Sequence, residues 1–306
     1  MTSPTAVESS VDLNRILGAA QLPALPQSAL RLLELSQSPN NGPVEFALPI
    51  EADPGLTGQV LKFVNSAYFG FSREISSIKL AITMVGVRTI KNFSLWSAVF
   101  SLMPNPKCGP FDLCSLWQDS LRRALFARAF GKLMGMPEAE EPFAAALLQD
   151  MAMPLLAREL PQEYATLLQR REGGQFRLSA LERDRFGWTH SAAAGQMARQ
   201  WNLPEEFADL IELHTELDDL LANGGSTPGQ LSVALSSLLP AASDEGWPEA
   251  GRFESSFQLL ARDRISVADM LKKIDQEFID FAPVLKITAP AKSLLMRYTE
   301  ATKTAG

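Results

Sequence analysis

The stretch DPGLTGQVLKFVNS, residues 53–66, decides the type of secondary structure. Asp53 is a natural N-cap, and Pro54 suits the first helical position, where its missing backbone N–H leaves no hydrogen bond unmade. Apolar residues then recur at the spacing of one helix face: Leu56, Val60, Phe63 and Val64. The stretch therefore predicts an amphipathic helix that packs one face against a core.

Helical spacing continues along the rest of the chain. Ser77 is predicted to cap a helix that Gly86 ends, and Asp112 is predicted to cap a long one. Further helices are predicted at about 87–103, 138–150, 154–171, 178–184, 190–201 and 204–221. Stretches rich in turn-forming residues predict loops at 222–230 and 240–252. Because alternating β patterns of useful length are absent, we expect an all-α fold.

Composition excludes several classes of protein. The chain has 28 Lys and Arg against 35 Asp and Glu, a net charge of −7, which disfavours nonspecific binding to nucleic acid. The N-terminus lacks the pattern of a signal peptide, and no apolar run is long enough to cross a membrane. We therefore expect a cytoplasmic protein without membrane contact, in which Cys108 and Cys114 are unbridged thiols.

The chain offers few groups for catalysis. It has no glycine-rich phosphate loop and no nucleophile elbow, and its only histidines are His190 and His214. By residue type alone, each histidine is more often a hydrogen-bonded structural residue than a ligand. One helix carries several charged residues that are typical of a solvated face: Asp119, Arg122, Arg123, Arg128 and Lys132.

Several motifs resemble the HDOD family, bacterial output domains related to HD-type metal-dependent phosphohydrolases. The run VNSAYFGFSREISSIKLAITMVGVRTIKNFSL at 64–95 is similar to the family's signature region, and DPGL at 53–56 precedes it as in the family. Later stretches are also similar, in the same order, and extend the resemblance over about residues 22–219: 116–127, 143–156, 180–195 and 201–217.

The resemblance implies an N-terminal helical lobe packed on an HD-like helical bundle, with extra C-terminal helices. We place the lobe at 12–110, the bundle at 111–221, the helices that complete it at 222–298, and a tail at 299–306. It also implies a regulatory role in signal transduction. We expect the domain to act on a signalling protein in trans, by protein–protein contact.

The resemblance also implies where a metal site would lie. The family's metal-ligand positions fall at Gln118, at the doublet Gln149-Asp150 and at His190 and His214, with a final aspartate position near Ser236 or Ser237. A glutamine amide is a far poorer metal ligand than imidazole. We therefore expect no catalysis and no cofactor.

Two alternatives remain for these residues. Asp150, His190 and His214 are enough to hold one divalent metal, as in a degenerate phosphohydrolase. Without metal, the same positions form either a hydrogen-bonded cluster that ties helices together or a cavity for a small ligand. A nucleotide or metabolite sensor is therefore the second alternative, with His190 or His214 as anchor.

The NSAYFG stretch has two interpretations of its own. Asn65, Tyr68, Phe69 and Phe71 lie around a turn at which Gly70 permits a positive φ. They form either a packed corner between the lobes or an exposed aromatic surface for a partner, since aromatic residues are enriched at binding hot spots.

Overall fold

A computed structural model describes residues 12–304 except 21, 37, 39, 138 and 284. Throughout this part of the chain the regular structure is helical and contains no strand, which confirms the all-α prediction. The N-terminal lobe contains α1 (Leu13–Ala19), α2 (Gln27–Ser36), α3 (Pro43–Glu51), α4 (Pro54–Val64), α5 (Ile78–Val85) and α6 (Val87–Leu102).

The predicted bundle follows, and its first helix is the longest of those described. Its elements are α7 (Leu113–Leu133), α8 (Glu140–Leu148), α9 (Met153–Glu159), α10 (Pro161–Arg170), α11 (Leu178–Phe186), α12 (His190–Gln200), α13 (Glu205–Glu212) and α14 (Leu217–Ala222). The C-terminal helices are α15 (Pro228–Ser236), α16 (Ala250–Ala261), α17 (Val267–Phe281) and α18 (Leu294–Thr304). Helix α18 includes residues placed in the predicted tail, of which 305–306 lie outside the described residues.

The predicted N-caps set the helix starts. Asp53 accepts a hydrogen bond from the backbone of Leu56 at 3.0 Å, and Asp112 accepts one from Ser115 at 2.8 Å. Ser77 caps α5 in the same way. Each cap satisfies a backbone N–H that has no partner inside its helix, so these predictions are confirmed.

Two predicted helices are interrupted. The one at 154–171 divides into α9 and α10 at Pro161, whose ring and missing N–H prevent helix continuation. The one at 204–221 is interrupted by a 3-10 turn, Leu213–Thr215. Here a ring nitrogen of His214 bonds the carbonyl of Ile211 at 2.6 Å, and this carbonyl would otherwise accept from the backbone of Thr215.

Helix α7 forms the centre of the bundle and contacts α8, α15 and α17. The prediction that the charged residues of α7 form a solvated face is wrong for three of the five. Asp119, Arg122 and Arg128 are buried, while Lys132 is exposed. Burial is possible because each buried charge has a partner, such as the pair between Arg128 and Glu277.

The aromatic corner, residues 65–71, packs against helices α7 and α17. The side chain of Asn65 bonds the backbone of Ile75 twice, at 2.7 Å each, and so closes the turn. Tyr68 lies edge-on to Phe281 of α17 at 5.2 Å and under the guanidinium of Arg128 at 4.8 Å. Phe69 and Phe71 are half-buried and stack on each other. These contacts favour the packed-corner interpretation of the NSAYFG stretch.

Among the described residues, no helix combines the length and apolar character needed to cross a bilayer. Both cysteines are free thiols, Cys108 buried and Cys114 exposed.

Candidate functional site

Three predicted site residues meet in the bundle. Asp150 follows α8, His190 opens α12 and His214 lies in the 3-10 turn after α13. Nε2 of His190 lies 3.3 Å from Oδ1 of Asp150 and 3.3 Å from Nε2 of His214. Nε2 of His214 lies 3.6 Å from the same aspartate oxygen. All three side chains are buried and point their donor atoms at one spot.

His190 is oriented by Glu182, a residue that no motif in the sequence singles out. The fully buried carboxylate of Glu182 bonds Nδ1 of His190 at 2.6 Å and its backbone N–H at 2.9 Å. Its second oxygen accepts from the hydroxyl of Tyr164 at 2.8 Å. Burial alone would lower the pKa of His190, but Glu182 and Asp150 outweigh it and raise that pKa to about 9. His190 is therefore an imidazolium at neutral pH when no metal is bound.

His214 has the opposite character. Its Nδ1 donates to the carbonyl of Ile211, which leaves the lone pair of Nε2 facing His190 and Asp150. Burial is the largest effect on this ring and lowers its pKa. His214 is thus a neutral imidazole whose free nitrogen is ready to accept a proton or a metal ion.

Asp150 is shared between the histidines and an arginine. Arg123 of α7 donates to Oδ2, while Oδ1 faces the two imidazoles. Burial opposes ionisation, but Arg123 and the hydrogen bond from His190 outweigh it and hold the pKa of Asp150 well below its usual range. The carboxylate is therefore ionised at neutral pH.

The glutamines occupy different places. Gln149 is fully buried, its Oε1 accepts from Ser236 at 3.4 Å, and its Nε2 has no partner. Gln118 lies outside this group, because its amide donates to the carbonyl of Thr288 at 2.9 Å. Of the positions that the resemblance implies, the structure therefore does not bring Gln118 together with Asp150, His190 and His214. The polar residues of α7 that line the cavity are Ser115, Asp119 and Arg123, four positions apart on one face.

A cavity of about 160 Å³ leads from this cluster to the surface. Gln149, Asp150, His190 and His214 form its floor, and exposed residues such as Phe176 lie at its mouth. The loop 240–249, here called the roof loop, covers one side. Gly174, with φ +104°, allows this loop to approach, because a Cβ there would lie 2.7 Å from a side-chain carbon of Asp244.

A family model for the HDOD domain matches residues 22–217, well over half of the chain. The chain belongs to the HDOD domain family. This HDOD domain is also 22% identical over 223 residues to an uncharacterized protein of Treponema pallidum, covering 71% of the chain. The chain spans only 43% of that relative's length.

Solved structures share the fold of this HDOD domain. An HDOD domain protein of unknown function from Geobacter sulfurreducens superposes with a TM-score of 0.71 at 21% identity, covering 92% of this chain and 99% of the other. A candidate signal transduction protein from Marinobacter aquaeolei has a TM-score of 0.68 at 19% identity, with coverage of 91% and 61%. A candidate phosphohydrolase from Shewanella amazonensis reaches 0.69 at 18% identity, with coverage of 90% and 99%.

The donor set of this HDOD domain fits a single metal ion. Ligand atoms about 2.0–2.1 Å from a tetrahedral zinc lie roughly 3.3–3.4 Å from one another. The separations among Asp150, His190 and His214, 3.3, 3.3 and 3.6 Å, are close to that value. Glu182 and the Ile211 carbonyl hold both Nδ1 atoms and direct both Nε2 atoms inward, as partners of metal-bound histidines do.

Proposed function

We propose that this HDOD domain is a regulatory module that does not hydrolyse phosphate esters and that acts by contact with a signalling protein in trans. The observation that carries the proposal is the ion pair between Arg123 and Asp150. Metal-dependent hydrolysis of phosphate esters commonly uses two ions, which neutralise both the attacking and the leaving oxygen. A carboxylate that bridges two ions commonly gives one oxygen to each, and here the guanidinium of Arg123 holds one of them.

The neighbouring residues support the same conclusion. A second ion would need further ligands beside Asp150, where this chain has the neutral side chains Gln149 and Ser236 bonded to each other. Neither supplies the negative charge that a metal pair requires. The likeness of fold to the Marinobacter aquaeolei protein agrees with a regulatory role.

Turnover assays test the non-catalytic part. Purified protein would be given p-nitrophenyl phosphate, its bis ester and cyclic dinucleotides, each with Mg²⁺, Mn²⁺ or Zn²⁺. We expect rates equal to those of the Asp150→Ala and His214→Ala variants. Hydrolysis that both substitutions abolish would overturn the proposal.

An exposed apolar surface on the N-terminal lobe supports contact with another protein. Val44 and Leu48 lie one turn apart on α3, and Leu80 and Met84 do so on the adjoining α5. They are between 46% and 63% exposed. Exposed apolar side chains on two adjoining helices are typical of interaction sites on soluble proteins. We assign the partner contact to this surface rather than to the packed aromatic corner.

Photo-crosslinking in cells tests the contact. A photoreactive amino acid at position 48 or 84 is expected to yield one discrete protein adduct. The matched control is position 259 on α16, where an equally exposed leucine, 66% accessible, lies outside this surface. Equal adducts from all three positions, or none from any, would contradict the assignment.

A second candidate function is a degenerate metal-dependent phosphohydrolase that retains one ion, and the donor spacing favours it. Asp150, His190 and His214 would hold the ion and leave a position open toward the cavity. A metal bound there would lower the pKa of a coordinated water. Addition of Co²⁺ to metal-free protein tests it, since a tetrahedral site gives intense visible absorption that His214→Ala should remove.

A further inference from the structure

The cavity lining carries hydrogen-bond donors that the protein leaves unused. Nε2 of Gln149, Nε of Arg123 and Nε of Arg171 are each buried without a partner, and all three residues line the cavity. Gln149 is the most informative of them, because its residue is wholly buried and forms part of the floor. A buried donor without a partner costs about 1–3 kcal/mol, so such groups call for an explanation.

The acceptors of the same lining are occupied. Asp244 accepts from Arg171 at 2.7 and 3.0 Å and from the backbone of Ala241 at 2.8 Å. Glu249 bonds Arg177 at 3.2 Å and Arg252 at 2.9 Å. Asp150 is paired with Arg123, while Asp119 accepts from the backbone of Ala242 at 2.7 Å and Asp112 from that of Ser115 at 2.8 Å. Each carboxylate of the lining therefore already accepts a hydrogen bond, whereas the amide nitrogen of Gln149 donates none.

We propose that the cavity binds a small molecule through an oxyanion group, a phosphate or a carboxylate, that accepts from Gln149 and lies beside Arg123 and Arg171. Carboxylate and phosphate oxygens form the strongest hydrogen bonds with amide and guanidinium donors. The proposal deepens the proposed function, since it supplies a signal for a module that does not turn over its ligand.

The volume of the cavity limits how much of a ligand can be buried in it. A cavity of about 160 Å³ is close to the roughly 150 Å³ that accommodates a benzene ring. An oxyanion with a few carbon atoms fills it, and anything larger extends past Phe176 into solvent. A whole cyclic dinucleotide does not fit inside.

The cavity is also connected to the C-terminal helix. Arg297 of α18 donates to the carbonyls of Asp244 at 2.6 Å and Ala242 at 2.9 Å, both in the roof loop. The side chain of Asp244 in turn holds Arg171. A ligand that contacts Arg171 is thus connected to α18 through the Arg171–Asp244 ion pair and the hydrogen bond from Arg297 to Asp244. Its binding would therefore act on the contact between the roof loop and α18.

The test is a titration of metal-free, EDTA-treated, ¹⁵N-labelled protein with inorganic phosphate and, separately, with acetate. Sodium chloride of equal ionic strength is the control. Side-chain amide resonances of Gln149 are assigned by their loss in Gln149→Leu. We expect them to shift saturably with phosphate or with acetate and not with chloride, and the stronger ligand identifies which oxyanion the site prefers.

Calorimetry of two matched variants completes the test. Gln149→Leu removes the unused donor and should weaken binding of the preferred anion by about tenfold or more, the equivalent of one charge-assisted hydrogen bond. Gln118→Leu alters another buried glutamine, outside the cavity, and should bind as the wild type does. Equal affinities for wild type and Gln149→Leu would overturn the proposal.

Absence of any saturable shift at Gln149 in the wild type would overturn it as well, and that readout does not depend on how the variants fold. The same sample separates this proposal from the proposed function. Hydrolysis of a phosphate monoester would refute the non-catalytic proposal and leave the anion site standing. Absence of both binding and hydrolysis would refute the anion site alone.

Discussion

Arg123 and Asp150 form a buried ion pair between the central helix of the bundle and the turn after α8, at the point where a metal pair would need the aspartate. The pair leaves Oδ1 of Asp150 to the two histidines and takes Oδ2 away from any second ion. The site therefore has room for one proton or one metal ion between Asp150, His190 and His214.

Metal stoichiometry follows from this pairing. After saturation with Zn²⁺ and gel filtration, elemental analysis should give no more than one ion per chain at this site, since the other oxygen of Asp150 is bonded to Arg123. His190→Ala and His214→Ala should reduce the bound metal, while Gln118→Ala should not. Two ions per chain, both lost in the histidine variants, would refute the single-site geometry.

Breaking the ion pair should destabilise the fold. Arg123→Met leaves a buried carboxylate oxygen unpaired and should lower the free energy of unfolding by about 3–5 kcal/mol, as measured by urea denaturation. Arg31→Met is the matched control, because the pair between Arg31 and Glu34 is about 60% exposed and should cost less than roughly 1 kcal/mol. An equal loss of unfolding free energy in the two variants would contradict the role assigned to Arg123.

The pKa values of the two histidines should be shifted in opposite directions, and the chain has no other histidine whose signal would overlap with theirs. In metal-free protein, ¹⁵N NMR should show His190 protonated at neutral pH and losing its proton near pH 9, its raised pKa. His214 should stay neutral, with the proton on Nδ1, to below its usual pKa of 6.5.

These pKa shifts determine how the stability of the fold changes with pH. The folded-state pKa of His190 exceeds the unfolded value, so its stabilising contribution is complete below about pH 6.5 and declines as pH rises toward 9. In Glu182→Gln that decline should shrink, because the carboxylate that raises the pKa is gone. Two histidines that both titrate near pH 6.5 would contradict the proposed network.

Tyr68 should act as a structural residue. It packs on Phe281 and Arg128, so Tyr68→Ala should reduce stability by about 3 kcal/mol, the usual cost of truncating a packed aromatic side chain. Met84→Ala, at an exposed site on the same lobe, should change it by less than about 0.5 kcal/mol. A Tyr68→Ala protein with native stability would restore the aromatic corner as a candidate partner surface.

Much of the fold could be predicted because its signals are local. Asp53, Ser77 and Asp112 each mark a helix start through a hydrogen bond to a residue three positions away, and apolar spacing marks the buried faces. The break at His214 was not predicted, since it depends on a bond from its ring to the Ile211 carbonyl that no spacing rule anticipates.

The site could be predicted only in part. Asp150, His190 and His214 were found through resemblance, whereas Gln118 was placed one residue from the face of α7 that lines the cavity. Glu182 escaped notice because an acidic residue on a helix is usually solvated. Only tertiary packing brings it to His190 and Tyr164, and it brings Arg123 to Asp150 in the same way.

The most direct test of the central claim is turnover of phosphate esters by the metal-loaded protein. Wild type, Asp150→Ala and His214→Ala would be compared on p-nitrophenyl phosphate and cyclic dinucleotides with Mn²⁺ and Zn²⁺. We predict three identical background rates. A wild-type rate well above background that falls to background in both variants would show that this HDOD domain is an enzyme.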